Sequence, residues 1–138
     1  MAVSIVLTGL QEDAVRKPRR NSKRRWVLAE AAFLLKAQSM GFRVARPWGD
    51  SDRYDFILDS GGRLWRVQPK STEVLHSRGY EVQSIYGVYG RGKSEYTADD
   101  IDVLVVRIGP LDACYVRPIA ALAKKLRFYP DIECKCAR

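Results

Sequence analysis

Two runs of alternating side chains, joined by a very short polar turn, constrain this chain more than anything else in it. Residues 54–59 (Tyr-Asp-Phe-Ile-Leu-Asp) and 63–70 (Arg-Leu-Trp-Arg-Val-Gln-Pro-Lys) carry β-branched and aromatic types and are separated only by Ser60, Gly61 and Gly62. That is the signature of a β-hairpin. Successive side chains of a strand point to opposite faces, so Leu64, Arg66, Gln68 and Lys70 share one side and Trp65 and Val67 the other. In an antiparallel hairpin Asp55 lies across from residues 68–70. A carboxylate, an amide and an ammonium can then meet at one spot.

Ahead of the hairpin the period becomes that of a helix. Asn21 or Ser22 can cap it. It runs to about Met40, and Gly41 follows as the residue that takes positive φ past the end. Trp26, Val27, Phe33 and Leu34 form one broad face. Glu30 stands three or four residues from each of them, so its carboxylate is expected among apolar neighbours and needs a partner: an arginine, a hydrogen-bond network or a metal. Residues 42–46 read as a strand stopped by Pro47, and residues 48–52 as a turn. After the hairpin, residues 80–85 read as a strand. Gly87, Gly90, Arg91, Gly92 and Lys93 form a flexible basic loop, and residues 97–100 a capping box on a short helix. Residues 103–108 are nearly all apolar, as in a strand covered on both faces. Residues 114–117 read as an edge strand, and Pro118 opens a last helix that reaches about Leu126. Trp48 and Trp65 are assigned to core packing, with stacking on bases as the alternative.

With 138 residues the chain suits a single domain. It is assigned to residues 23–130, between a basic arm over residues 1–22 and a tail over residues 131–138. A net charge of +8 and a pI of about 9.6 favour a polyanionic partner, nucleic acid first among them. No run approaches the roughly 18 apolar residues of a membrane span. The apolar start at residues 2–7 has no basic stretch before it, so no signal peptide is expected. Cys114, Cys134 and Cys136 do not make a disulfide framework, and a reducing cytoplasm follows. His76 is given no role.

Asp55, Gln68, Lys70 and Glu30 suit phosphodiester hydrolysis. Hard oxygen donors hold Mg²⁺, and a neighbouring lysine orients or deprotonates the nucleophile or offsets developing charge. Arg24, Arg25, Ser71, Arg78, Arg91 and Lys93 are candidate nucleic-acid contacts. Asp50 and Asp52 are read as turn formers, and Asp99, Asp100 and Asp102 as capping and surface groups. The plainer reading makes Asp55, Gln68 and Lys70 ordinary hairpin residues and pairs Glu30 with Arg24 or another arginine.

The run Arg46-Pro47-Trp48-Gly49-Asp50, then Arg53-Tyr54-Asp55-Phe56, then Gly62-Arg63-Leu64-Trp65-Arg66-Val67-Gln68-Pro69-Lys70-Ser71, and finally residues 96–102 (Tyr-Thr-Ala-Asp-Asp-Ile-Asp) resembles the group I intron-associated branch of PD-(D/E)XK endonucleases, related in fold to Holliday-junction resolvases. The resemblance spans about residues 23–122. It implies an α/β, restriction-endonuclease-like domain with an αβββαβ core and a central mixed sheet flanked by helices. It implies Asp55 as the main metal ligand, Lys70 as the catalytic lysine, Gln68 in the place of the usual acidic ligand and Glu30 as a supporting glutamate. Mg²⁺ is the implied cofactor, with Mn²⁺ as a substitute, DNA the substrate, and a homodimer or homotetramer the assembly. Two departures carry expectations. Gln68 brings no charge, so metal binding should be weaker than with glutamate. Pro69 cannot donate to a ladder, so it should either make a bulge that re-aims Lys70 or mark a fold that binds DNA without cutting it. A basic structural protein without a nucleic-acid role is the remaining alternative.

Overall fold

The computed structural model describes residues 21–129. Apart from Asn21 and Ser22, the basic arm lies outside the described residues, as do the tail, Cys134 and Cys136.

Helix α1 spans Ser22–Ser39, and the Asn21 side chain accepts a hydrogen bond from the Lys23 amide at its start. At its other end Gly41 takes φ +79°. The Gly41 amide donates to the Gln38 carbonyl and the Phe42 amide to the Ala37 carbonyl, both at 3.0 Å. This is a Schellman ending, which only glycine adopts without strain. Helix start and stop therefore fall where the sequence puts them.

Strands β1 (Arg43–Ala45), β2 (Phe56–Asp59), β3 (Leu64–Thr72), β8 (Val103–Ile108) and β9 (Ala113–Pro118) form one sheet in the order β1-β2-β3-β8-β9. The β3–β8 pairing is parallel and the others antiparallel. The central mixed sheet of the expected α/β class is thus present. Between β3 and β8 lie β4 (Leu75–His76), β5 (Gly79–Gln83) and the hairpin β6 (Ile85–Val88) with β7 (Gly92–Glu95). Strand β10 (Lys125–Phe128) joins β5 and β4 in a second, three-stranded sheet.

The core has two layers because β8 is covered twice. Phe33 and Ala37 of α1 pack on Phe56, Val67, Val103 and Val105. On the other face Leu104, Val106 and Ile108 meet Tyr80, Val82, Leu126 and Phe128. A strand clothed on both faces must be apolar throughout, which explains residues 103–108.

Five expectations are corrected. The link from β3 to β8, which the resemblance assigns to a helix, is strands and a turn among the described residues. At Thr97 only half of the capping box forms: Asp100 Oδ2 accepts from the Thr97 amide (2.9 Å) and hydroxyl (3.1 Å), the Thr97 hydroxyl oxygen accepts from the Asp99 amide, and the segment closes a single turn. The last helix is replaced by a 3₁₀ turn at Ile119–Ala121 and by β10. Lys125, Leu126, Arg127 and Phe128 alternate in polarity, and the edge of β5 lets Leu126 and Phe128 be buried, which outweighs helix propensity. Trp48 is fully exposed rather than in the core. On α1, the buried stripe is Ala29, Phe33 and Ala37, whereas Trp26 and Val27 face outward.

One polar group holds β3 to the start of β8. Asp102 Oδ2 accepts from the Arg66 amide (2.7 Å) and from Arg66 Nε (3.2 Å), and Oδ1 from Arg66 Nη2 (3.0 Å). Arg66 also donates to the Ala98 and Asp99 carbonyls. The Arg66 hydrogen bonds hold the Asp102 carboxyl below its ordinary range. The folded value thus lies below the unfolded one, so this stabilisation is present above the usual aspartate pKa near 3.9 and is lost on acidification. Asp102→Asn is expected to cost about 2 kcal/mol at pH 7, read as a fall of ~5 °C or more in Tm. The difference should narrow in acid, and equal melting at pH 7 would show that the network contributes nothing.

Candidate active site

Strand β2 stops before its neighbour does. Its ladder with β3 ends at the Phe56–Val67 pair, and the Asp55 amide adds one bond to the Val67 carbonyl at 3.0 Å. Past that point β3 runs on to Thr72, paired only with β8. The open edge of β3 is where a cleft of about 320 Å³ forms.

Glu30, Asp55, Gln68 and Lys70 all line this cleft. Gln68 and Lys70 stand in register with Leu104 and Val106, whose side chains pack toward the second sheet. They therefore share that face, as strand alternation requires. Gln68 Nε2 donates to Asp55 Oδ2 at 2.7 Å and to the Pro69 carbonyl at 3.1 Å. Lys70 Nζ donates to the Ile85 carbonyl at 2.7 Å and lies 5.3 Å from the centre of the Tyr96 ring. Glu30 comes from α1 on the opposite face and reaches the cleft past the end of β2. Its Oε2 pairs with Arg46 Nη2 at 2.9 Å, so the partner it needs is an arginine of the chain, as the plainer reading has it.

Pro69 costs the sheet nothing. The register from Val67 to Thr72 against β8 is unbroken, so no bulge forms there. Main-chain polar groups alternate between the two edges of a strand. Val67 turns its carbonyl toward Asp55, so two residues later the Pro69 nitrogen faces the same edge, beyond the end of β2. No ladder bond is lost, and Lys70 keeps its place beside Asp55. Of the two readings of Pro69, the local bulge that re-aims Lys70 does not form.

Burial pushes the Asp55 carboxyl above its ordinary value, with the Gln68 amide, Arg46 and Lys70 opposing by less. Burial lowers Lys70, against the pull of Asp55. Each charge is disfavoured by its surroundings and favoured by the other. Burial and then the Asp55 charge keep the Tyr96 phenol high and neutral.

Sequence reading misses the aromatic side of the cleft. Trp26, Tyr86 and Tyr96 line it together with Asp52 and Arg53. The Tyr86 and Tyr96 rings lie 5.0 Å apart, and Arg53 sits 4.3 Å from the Tyr86 centroid. Nothing local marks Tyr86 and Tyr96, because the β6–β7 hairpin brings them in from far along the chain. Of the candidate nucleic-acid contacts, Arg25, Ser71 and Lys93 line an adjoining cleft. Arg24 on α1, Arg78 in the turn between β4 and β5, and Arg91 at the hairpin tip line neither one.

Among the described residues no group of three or more His, Cys, Asp or Glu side chains is placed to hold a metal ion. The donor set is instead mixed. The Asp55 carboxylate and the Pro69 carbonyl both accept from one amide nitrogen, so two hard oxygens converge where that nitrogen stands. With the Gln68 amide turned over, its own oxygen joins them. This suits a small hard cation that keeps several waters.

The model of the PD-(D/E)XK endonuclease family matches residues 20–130. Among solved structures, a bacterial homing endonuclease, I-Ssp6803I, is similar with a TM-score of 0.68 and 27% sequence identity, over 78% of this chain and 78% of that one. No curated protein matches the chain. The family match covers the helix, the hairpin with its carboxylate, amide and lysine, and the parallel strand behind it. This chain therefore belongs to the PD-(D/E)XK endonuclease family.

Proposed function

We propose that the chain is a metal-dependent endonuclease that hydrolyses phosphodiester bonds of DNA in the cleft along the open edge of β3. The convergence of Asp55 Oδ2 and the Pro69 carbonyl on one point, with Lys70 on the same face, carries this reading. Asp55, the Gln68 amide oxygen and the Pro69 carbonyl would hold Mg²⁺ or Mn²⁺, with Glu30 as a further donor once released from Arg46. Such an ion supplies a bound water of lowered pKa and offsets phosphate charge. Lys70, fixed by the Ile85 carbonyl, presents its ammonium to the attacking water or to the phosphate oxygens. Arg46 and Arg53 add positive charge at the cleft mouth. The net charge of +8 favours DNA as substrate.

No helix among the described residues is long and apolar enough to cross a membrane. Cys114 is a free thiol, which suits a reducing cytoplasm. Cutting both strands of a duplex usually takes two such sites, which favours a homodimer or homotetramer.

The test is nicking of supercoiled plasmid by the purified protein with Mg²⁺, with Mn²⁺ and with a chelator. Metal-dependent conversion to open circles is the expected result. DNA binding of steep salt dependence without scission under either metal would instead identify a module that keeps the fold and no longer cuts.

A further inference from the structure

The active-site cleft does not end at Lys70. A second cleft of about 430 Å³ adjoins it, and Trp26, Lys70 and the first strand of the β6–β7 hairpin line both. Its walls are the first turn of α1, which brings Arg25, and β7, which brings Lys93. Its floor is the open edge of β3 at Ser71.

Three observations give this cleft a ligand of one kind. Arg25 is half-buried, yet neither it nor Lys93 has an ion-pair partner among the described residues. The carboxylate on its wall, Glu81, is drawn away by Lys125 and Arg127, each at 3.5 Å. Ser71 Oγ is the buried side-chain polar atom without a hydrogen-bond partner among the described residues. Two cations on opposite walls of a trough, neither with an ion-pair partner among the described residues, are suited to an anion.

We infer that this second cleft is a phosphate subsite: it holds the phosphodiester group next to the one placed at Asp55 and Lys70, gripped by Arg25 from one wall and Lys93 from the other. The inference rests on the nuclease reading, because it takes the first cleft as the cutting site. The DNA strand then runs along the open edge of β3, between α1 and the β6–β7 hairpin. The exposed Trp26 ring stands at the junction of the two phosphate positions.

The test uses duplex oligonucleotides in which one phosphate at a time is replaced by a neutral methylphosphonate, with binding read by fluorescence anisotropy in chelator. For the wild-type protein, one neutral linkage adjacent to the cut position should weaken binding about tenfold. For the Arg25→Ala/Lys93→Ala protein that same linkage should have no effect, because the partners are already gone. If every linkage weakens the wild-type and double-variant proteins alike, the subsite is overturned and the nuclease reading stands. If the wild-type protein shows no DNA binding at all, the nuclease reading falls and the subsite with it.

Discussion

Asp55→Asn is expected to abolish cleavage and, in the metal-free protein, to raise the melting temperature. The substitution is nearly isosteric, and the asparagine oxygen can still accept the 2.7 Å bond from Gln68 Nε2, so the cleft should keep its shape. What is lost is the negative charge that would hold a divalent cation, at a cost in rate of about 10³-fold or more. The gain in stability follows from the direction of the Asp55 shift. Burial holds its carboxyl above the ordinary value despite Gln68, Arg46 and Lys70. The native state therefore binds the proton more readily than the unfolded chain, and stability falls as pH rises from about 3.9, the unfolded value, through the raised folded value. Above that window the penalty is present in full, and asparagine removes it. Thermal unfolding in chelator should show the variant melting a few degrees higher at pH 7 and the two proteins converging near pH 4. Normal nicking by the variant would remove Asp55 from the site. A lower Tm at pH 7 would mean that its cationic neighbours outweigh its burial.

Local rules are enough wherever one element decides the outcome. Asn21 and Gly41 mark the ends of α1, the Ser60 to Gly62 turn fixes the hairpin, and period-two alternation sets Gln68 and Lys70 on one face. The cleft residues Asp55, Gln68 and Lys70 are legible for that reason: a single hairpin carries all three. Features that depend on what a distant segment offers are not legible. Residues 118–126 have a helical composition, yet residues 125–128 pair with the edge of β5. Glu30 looks buried by its helical spacing, yet it reaches past the end of β2 to Arg46. The harmlessness of Pro69 depends on β2 ending at Phe56, and no property of residues 63–70 tells where the neighbouring strand will stop. The aromatic wall of Tyr86 and Tyr96 arrives on a hairpin whose docking is tertiary, as does the positioning of Lys93 opposite Arg25.

Lys70→Met should lower kcat by about 10² to 10⁴ while changing DNA affinity little. Methionine follows the path of the lysine stem, so the packing beside Tyr96 survives. It carries neither the charge nor the donor that meets the Ile85 carbonyl. Lys70→Arg should not restore the rate. A planar guanidinium is longer and spreads its donors in a fork, which does not fit the seat of a compact ammonium between a carbonyl oxygen and a ring. The sign of the stability change is again fixed by burial, which lowers Lys70 with Asp55 opposing. The native state gives up that proton more readily than the unfolded chain, so stability rises as pH climbs through the depressed folded value toward about 10.4. Below that window the charged lysine is a burden that methionine lifts, and Lys70→Met should melt higher than wild type at pH 7. The two central residues also depend on each other. In Asp55→Asn the field that keeps Lys70 protonated is gone, so the gains in Tm from Asp55→Asn and Lys70→Met should not simply add. Single-turnover cleavage separates the roles: a kcat within a few-fold of wild type alongside a raised KM would make Lys70 a phosphate contact and leave activation of the water to another group.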